Sequence, residues 1–221
     1  MLADGRADPT ADANDAIRLS SEYGHTDVVQ LLLADARVDP TAWYNHAIRA
    51  SSQNGHLEVV KLLLEDGRAD PTADDNWAIR ASSENGHIDV MRLLLADEHI
   101  DPTADDNWAI RKSSVYGHTD VVKLLLTDGR ADPAAWGNHA IRASSQNGHS
   151  EVVKLLLEDG RADPTANDNW AIRASSENRH IDVMRLLLAD GRADPAAWPM
   201  AADNYAAPLL PFSYLPIPTI W

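Results

Sequence analysis

The chain has 221 residues, with 34 acidic and 19 basic side chains, a formal net charge of -15 and no cysteine. Because affinity for nucleic acid depends on clustered Lys and Arg, this charge argues against a nucleic-acid partner. It favours either a basic protein partner or an acidic, solvated surface, and the lack of cysteine excludes disulfides and thiolate metal sites.

The first nine residues resemble the end of a repeated unit whose helices are missing, so we predict a partial leading repeat over residues 1–9. They show no charged start followed by an apolar segment, which a secretory signal would require. No stretch of the chain has the 18 or so consecutive apolar residues of a membrane span. These features predict a cytoplasmic protein without a membrane partner.

An Ile-Arg pair recurs every 31 residues, and an Asp-Pro pair and a Leu triplet recur with the same spacing. A fixed period of this size indicates one supersecondary unit stacked on copies of itself, so function is expected on an extended surface. We predict six repeats over residues 10–195. The arginines of the pairs are Arg18, Arg49, Arg80, Arg111, Arg142 and Arg173.

The third copy illustrates the unit. Asn76 precedes a short segment of packing residues and is predicted to cap helix A, which runs from about Trp77 to Glu84. Gly86 predicts a left-handed turn, and helix B then carries an apolar stripe over residues 90–95. The pattern predicts an all-α solenoid of six stacked helix-turn-helix repeats.

Arg179 replaces the first turn glycine in the sixth copy. A side chain other than glycine in left-handed geometry costs roughly 1–2 kcal/mol. We therefore predict that Arg179→Gly raises the melting temperature.

Residues 55–64, with the sequence Gly-His-Leu-Glu-Val-Val-Lys-Leu-Leu-Leu, resemble the ankyrin repeat. This unit is shorter than the usual repeat, and the missing residues fall between Pro71 and Asn76, where the family forms a projecting hairpin; we expect a short turn instead. The resemblance implies antiparallel helices, a concave face formed by helix A and the loops, and non-catalytic protein binding.

The Gly-His histidines, one per repeat, could suggest a metal site. Stacked helices lie about 8–10 Å apart, whereas zinc ligands approach one ion to about 2.1 Å, so we predict backbone hydrogen bonds for these rings and no metal. Ser82, Ser83, His87 and Asp89 offer the residue types of a catalytic triad, but no nucleophile elbow accompanies them. No phosphate-binding glycine motif occurs either. The sequence predicts neither an enzyme nor a cofactor.

The arginine near the start of each helix A opposes the helix dipole, which predicts an acidic partner. For Arg80 we expect Asp70 or Asp101, in the Asp-Pro turns. The alternative is a row of guanidinium groups that bind anions.

Tryptophan occurs once in each unit after the first, near the shortened loop. Tryptophan is enriched in the energetic centres of interfaces, but an indole also fills gaps between repeats, and the sequence leaves both roles open. Nearby positions vary among the copies, which predicts a protein-binding surface. Its candidate residues are Trp43, Trp77, Trp108, Trp136, Trp170, Trp198, Tyr44, His46, Lys112 and His139.

Residues 196–221 are predicted to be a degenerate seventh repeat followed by an apolar, proline-rich tail. The tail either caps the array or docks on another molecule. End-to-end contacts would make the chain a structural protomer of a ring or filament, which is the alternative to partner binding. The self-assembly candidates are Leu209, Leu210, Phe212, Tyr214, Leu215, Ile217, Ile220 and Trp221.

Overall fold

The computed structural model describes residues 8–193. These residues form twelve α-helices and no strand. The chain divides into two units, residues 1–132 and 133–221. The first unit contains α1 (Ala11–Glu22), α2 (Thr26–Leu33), α3 (Ala42–Gln53), α4 (Leu57–Asp66), α5 (Ala73–Glu84), α6 (Ile88–Leu95), α7 (Ala104–Tyr116) and α8 (Thr119–Asp128). The second contains α9 (Ala135–Asn147), α10 (Ser150–Asp159), α11 (Ala166–Glu177) and α12 (Ile181–Asp190).

Each unit is a stack of helical hairpins, four in the first and two in the second. Within a unit, odd-numbered helices pack against odd-numbered helices and even-numbered against even-numbered, which creates two layers. The core between them is apolar and fully buried, as Ile79, Met91 and Leu94 show at 0 % exposure. Ser82 and Ser83 are buried too, and their small side chains allow neighbouring helices to approach closely. The predicted all-α fold of stacked repeats is confirmed.

A left-handed turn opens every odd-numbered helix. In α5 the residues Asp74, Asp75 and Asn76 have φ of 58°, 54° and 57°, and right-handed helix begins at Trp77, as the sequence predicts. The predicted N-cap at Asn76 is wrong, because its Oδ1 accepts a hydrogen bond from the backbone N of Asp101, in the Asp-Pro turn that leads into the next repeat (2.9 Å). The short turn expected before Asn76 is confirmed.

The same asparagine contact recurs along each unit. Backbone N–H groups of Asp39, Asp70, Asp132 and Asp163 donate to the Asn of the left-handed turn 25 residues earlier at 2.7–2.8 Å. The asparagine therefore holds the Asp-Pro turn that leads into the next repeat, which is why it recurs with the full period.

The glycine turns have the predicted geometry. Gly86 has φ of +77°, and Arg179 occupies the same left-handed region with φ of +63°. Gly67, also at φ +77°, ends α4. Helices α2 and α6 lack a glycine at this second position and end two residues earlier, after eight residues instead of ten.

An arginine contact between repeats is not evident from the hydrophobic pattern. Arg68 makes a two-point ion pair with Asp66 and donates to two carbonyls of the preceding repeat, Val38 O at 2.7 Å and Leu33 O at 3.1 Å. Arg130 repeats this arrangement, and Arg192 pairs with Asp190 and donates to one carbonyl, Ala162 O at 3.0 Å. The ion pair lowers the pKa of Asp66, because hydrogen bonds from Arg68 favour its charged form. The third copy has His99 at this position.

The Gly-His histidines also connect repeats. His87 Nε2 lies 2.9 Å from Gln53 O at the end of α3, and His56, His118 and His180 make equivalent contacts. Since a carbonyl oxygen only accepts, the Nε2 atom carries the proton. The predicted backbone bonding is confirmed, although the acceptor belongs to the preceding repeat. Within residues 8–193, no cluster of His, Asp and Glu could hold a metal ion.

Candidate functional site

The first two residues of each left-handed turn are exposed in all six copies. Their identities differ from copy to copy, whereas the asparagine at the third position is constant. We call these twelve residues, together with the first right-handed residue of each odd-numbered helix, the turn face. The twelve are Asp12, Ala13, Trp43, Tyr44, Asp74, Asp75, Asp105, Asp106, Trp136, Gly137, Asn167 and Asp168, and the helix residues are Asp15, His46, Trp77, Trp108, His139 and Trp170.

The tryptophans occupy two different positions of the turn face. Trp43 and Trp136 stand first in their turns and are 60 % and 63 % exposed. Trp77, Trp108 and Trp170 stand first in the right-handed helix and are half-buried. In the two copies with an exposed tryptophan, the helix position holds histidine.

The exposed aromatic residues of the turn face in the first unit lie together on its second left-handed turn. Tyr44 is 84 % exposed beside Trp43, and the guanidinium of Arg18 lies 4.3 Å from the Trp43 ring centroid. His46 follows on α3, with Nε2 3.9 Å from the Glu22 carboxylate. Burial lowers the pKa of His46, so the ring is neutral at pH 7 although Glu22 opposes the shift.

Arg80 does not pair with Asp70 or Asp101, so that prediction is wrong. Its guanidinium donates to Asp74 O at 3.0 Å and Asp75 O at 2.8 Å, carbonyls of its own turn, and to Asp105 Oδ2 at 3.0 Å in the next repeat. The carbonyls of its own left-handed turn hold the guanidinium in place, and the acid that pairs with it therefore comes from the left-handed turn of the next repeat. A bond to a turn carbonyl recurs at Arg49, Arg111 and Arg142.

Trp77 and Trp108 form the walls of a small cleft between α5 and α7. Its volume is about 140 Å³, and Arg80, Ala81 and Glu84 complete its lining. Trp108 Nε1 donates to Glu84 at 3.2 Å. Lys112 Nζ lies 3.8 Å from the other Glu84 oxygen and 4.4 Å from the Trp108 ring centroid.

The second unit has a different aromatic arrangement. Trp136 and His139 contact each other edge to face, with ring centroids 5.9 Å apart. Trp170 lies 5.9 Å from the guanidinium of Arg173 on its own helix. Trp198 and the candidates between Leu209 and Trp221 lie outside the described residues.

Comparison with protein families identifies the repeat. A model of ankyrin repeats, in groups of three copies, matches residues 15–106 and again residues 107–197. The chain belongs to the ankyrin-repeat family. Ankyrin repeats are generally protein–protein interaction modules. Among curated protein sequences, none matches this ankyrin-repeat chain.

Three solved ankyrin-repeat structures share the fold. The ankyrin repeat protein EF0377 is 23 % identical, with a TM-score of 0.66 over 78 % of this chain and 96 % of its own. The human ASB11 ankyrin repeat domain is 17 % identical, with a TM-score of 0.68 over 79 % and 83 %. An ankyrin repeat domain from Acinetobacter baumannii AYE is 18 % identical, with a TM-score of 0.62 over 79 % and 97 %.

In the part of the chain that the structure describes, no helix is both long and apolar enough to cross a bilayer.

Proposed function

We propose that the chain is a non-catalytic module that binds a basic protein partner through its turn face. The observation that carries the proposal is that residues of each left-handed turn have two different roles, one structural and one at the surface. The third residue, asparagine, bonds to the Asp-Pro turn that leads into the next repeat, while the first two residues face solvent and vary. Residues that vary and face solvent on a fixed backbone are suited to recognition, because little conformational freedom is lost when a partner binds.

The exposed aromatic residues can contribute much of the binding free energy. Trp43, Tyr44 and Trp136 are each at least 60 % exposed, and large aromatic side chains dominate the energetics of many interfaces. Exposure of such residues leaves apolar area that a partner can bury.

The exposed carboxylates supply the preference for a basic partner. Asp74 and Asp105 are each paired with an arginine of the preceding repeat. Asp75 and Asp106 stand beside them, exposed, and no ion pair or hydrogen bond joins their carboxylates to another described residue. With the net charge of -15, these acids attract cationic side chains and accelerate association at low salt.

A selection experiment tests the proposal. Purified chain is used to select binders from a phage-displayed library of random peptides, and affinities are measured by fluorescence anisotropy. The double variant Trp43→Asp, Tyr44→Asp introduces the residues that the next repeat carries at the equivalent positions, Asp74 and Asp75, so the turn keeps its geometry. We expect the selected peptides to be basic. We also expect the double variant to have a lower affinity for the peptides that contact this turn.

The matched control is Tyr23→Asn, which removes an aromatic that is 63 % exposed but lies at the end of α1, away from the turn face. Asn54 is the equivalent residue in the second copy, so folding is preserved. Binders that respond to Tyr23→Asn and to no turn-face variant would contradict the proposal.

A second candidate function is end-to-end self-assembly, favoured by the first hairpin. Val28 is 46 % exposed, whereas its equivalents Val59 and Val90 are 0 % and 1 % exposed because a preceding repeat covers them. Leu19 and Leu31 are also exposed on this hairpin, at 45 % and 58 %. This surface corresponds to the one that a preceding repeat covers in the other copies, so the proposed occupant is a repeat of a second copy of the chain.

Light scattering over a concentration series tests this second function. Assembly that grows with concentration and is abolished by Val28→Lys supports it, and deletion of residues 209–221 measures the contribution of the tail. A monomer at every concentration contradicts it.

A further inference from the structure

Among the described repeats, the third and fourth are the adjacent pair that both have tryptophan first in the right-handed helix, at Trp77 and Trp108. The second and fifth copies have histidine there, so Trp170 of the sixth copy follows a histidine copy. Ala81 lies between the two indoles and is small enough to leave space. The equivalent residue in the fourth copy is Lys112, whose Nζ lies 4.4 Å from the Trp108 ring centroid.

The resulting cleft is continuous with a larger trough. The cleft holds about 140 Å³. The trough holds about 670 Å³ and shares Trp77, Ala81 and Glu84 with it; Gln53, Asn85, Tyr116 and His118 complete its lining. An extended segment in the trough can therefore place one side chain in the cleft.

The size and chemistry of the cleft favour an aliphatic side chain. Its volume is below the ~300 Å³ at which small-molecule sites begin. The Glu84 carboxylate is already engaged by Trp108 Nε1 and Lys112, so it offers little to a guest. Arg80, whose guanidinium lies 5.4 Å and 5.9 Å from the two ring centroids, disfavours a second cation, and the exposed lining of the cleft is mainly apolar.

The rim of the site is acidic, in contrast to the apolar cleft. Asp75 and Asp106 are exposed in the two turns directly before the tryptophans, and no described residue neutralises them. A segment that seats an aliphatic residue in the cleft would bring its neighbouring side chains close to these turns. Lysine or arginine at those neighbouring positions would complement the carboxylates.

We propose that the cleft between Trp77 and Trp108 binds one aliphatic side chain of a partner segment whose flanking Lys or Arg residues lie at Asp75 and Asp106. This inference rests on the proposed function and specifies the partner: a basic segment with a single aliphatic anchor. The anchor buries its area between two indoles, and the flanking cations set orientation.

Two substitutions test the site, and each introduces a residue that another repeat already carries at the equivalent position. Ala81→Lys fills the cleft with the residue that the fourth copy carries at Lys112. Trp77→His removes one wall and introduces the residue found at His46. The control is Ala143→Lys, the same change at the equivalent position of the fifth repeat, and circular dichroism checks the fold of each variant.

The probes are peptides selected on the wild-type chain from a phage-displayed random library, measured by fluorescence anisotropy at low and high salt. We expect a consensus with one aliphatic position beside Lys or Arg. Ala81→Lys and Trp77→His should each weaken binding about tenfold or more, while Ala143→Lys leaves it unchanged. Replacing the aliphatic residue of the peptide by alanine should cost a similar factor, and Ala81→Lys should then have little further effect.

The Asp75→Asn, Asp106→Asn variant should weaken binding at low salt and have less effect at high salt. A consensus without an aliphatic position, or full affinity of Ala81→Lys, overturns the inference. If the peptides still respond to Trp43→Asp, Tyr44→Asp, the turn face binds a partner elsewhere and the proposed function stands. If selected peptides respond to no turn-face variant, the proposed function fails as well.

Discussion

A comparison of two glycine substitutions separates backbone strain from the contact between repeats. Gly55 and Gly67 have nearly the same φ, +76° and +77°. A Cβ added at Gly55 would lie 2.5 Å from His87 Nδ1 of the next repeat, whereas one added at Gly67 meets nothing within 4 Å. Alanine at Gly67 thus introduces only the backbone cost, and alanine at Gly55 adds a collision with the histidine ring.

The magnitudes follow from these distances. Gly67→Ala should lower the free energy of unfolding by about 1–2 kcal/mol, the cost of left-handed geometry for alanine. Gly55→Ala should cost about 1–3 kcal/mol more, because the ring must move and its bond to Gln53 O, 2.9 Å in length, is strained or lost. The expected totals are about 1–2 kcal/mol at Gly67 and about 2–5 kcal/mol at Gly55.

Equilibrium unfolding in urea, followed by circular dichroism and tryptophan fluorescence, measures both values. Agreement of the two probes establishes that a single transition describes the chain. The double variant Gly55→Ala, His87→Ala completes the cycle: once the ring is removed, the added methyl should cost only as much as at Gly67. Equal costs for the two single variants, or a cost at Gly55 that persists without His87, would refute the interlocking of glycine and histidine.

Three further predictions concern the same repeat contacts. Arg179→Gly should raise stability by about 1–2 kcal/mol, seen as a higher melting temperature, because φ at this residue is +63°; no increase would contradict the cost assigned to that geometry. The double change Glu98→Gly, His99→Arg restores the sequence of the other turns and should add about 1 kcal/mol in urea unfolding through the missing arginine bonds; a loss of stability would show that this junction does not accept them. Hydrogen bonds from Arg68 hold the pKa of Asp66 below 3.8, so this pair contributes stability above the unfolded-state pKa, and the contribution is lost as pH falls through the lower, folded-state value. Arg68→Ala should raise the pKa of Asp66 in a carbon-13 carboxyl titration, and an unchanged value would show that the pair does not set it.

The periodic features of the fold are predictable from the sequence because they depend on local chemistry. The apolar stripe of helix B, the start of regular helix at Trp77 and the left-handed turn at Gly86 each follow from residue types within one repeat. Stacking follows as well, since a single hairpin cannot bury its apolar face.

Contacts between repeats are harder to predict because spacing alone does not name the partner. Asn76 has the chemistry of a helix cap, yet its oxygen accepts from the backbone of Asp101, 25 residues later, in the turn that leads into the next repeat. Arg80 required an acid, but the acid is Asp105 of a turn whose handedness was not predicted. A signal was present, since Asp and Asn are the residues other than glycine that most readily adopt left-handed geometry.

The candidate site shows the same division. The variable aromatic positions could be identified from the sequence, but not that they fall into two sets with different exposure. That distinction depends on where right-handed helix begins, directly after the three left-handed residues. The Asp-x-Arg pattern that positions Arg68 against the preceding repeat was also visible in the sequence, although its role depends on carbonyls 30 and 35 residues away.

The separation of roles within the left-handed turn has a consequence for how such a chain can diversify. Residues 41–102 and 134–195 are nearly identical blocks, yet Trp43-Tyr44 in one corresponds to Trp136-Gly137 in the other. The asparagine that follows is the same in both and keeps its bond to the Asp-Pro turn that leads into the next repeat. Duplication of a block therefore copies a folding unit together with two solvent-facing sites per repeat, so new binding specificities can arise from old repeats by substitutions that leave the asparagine bond in place.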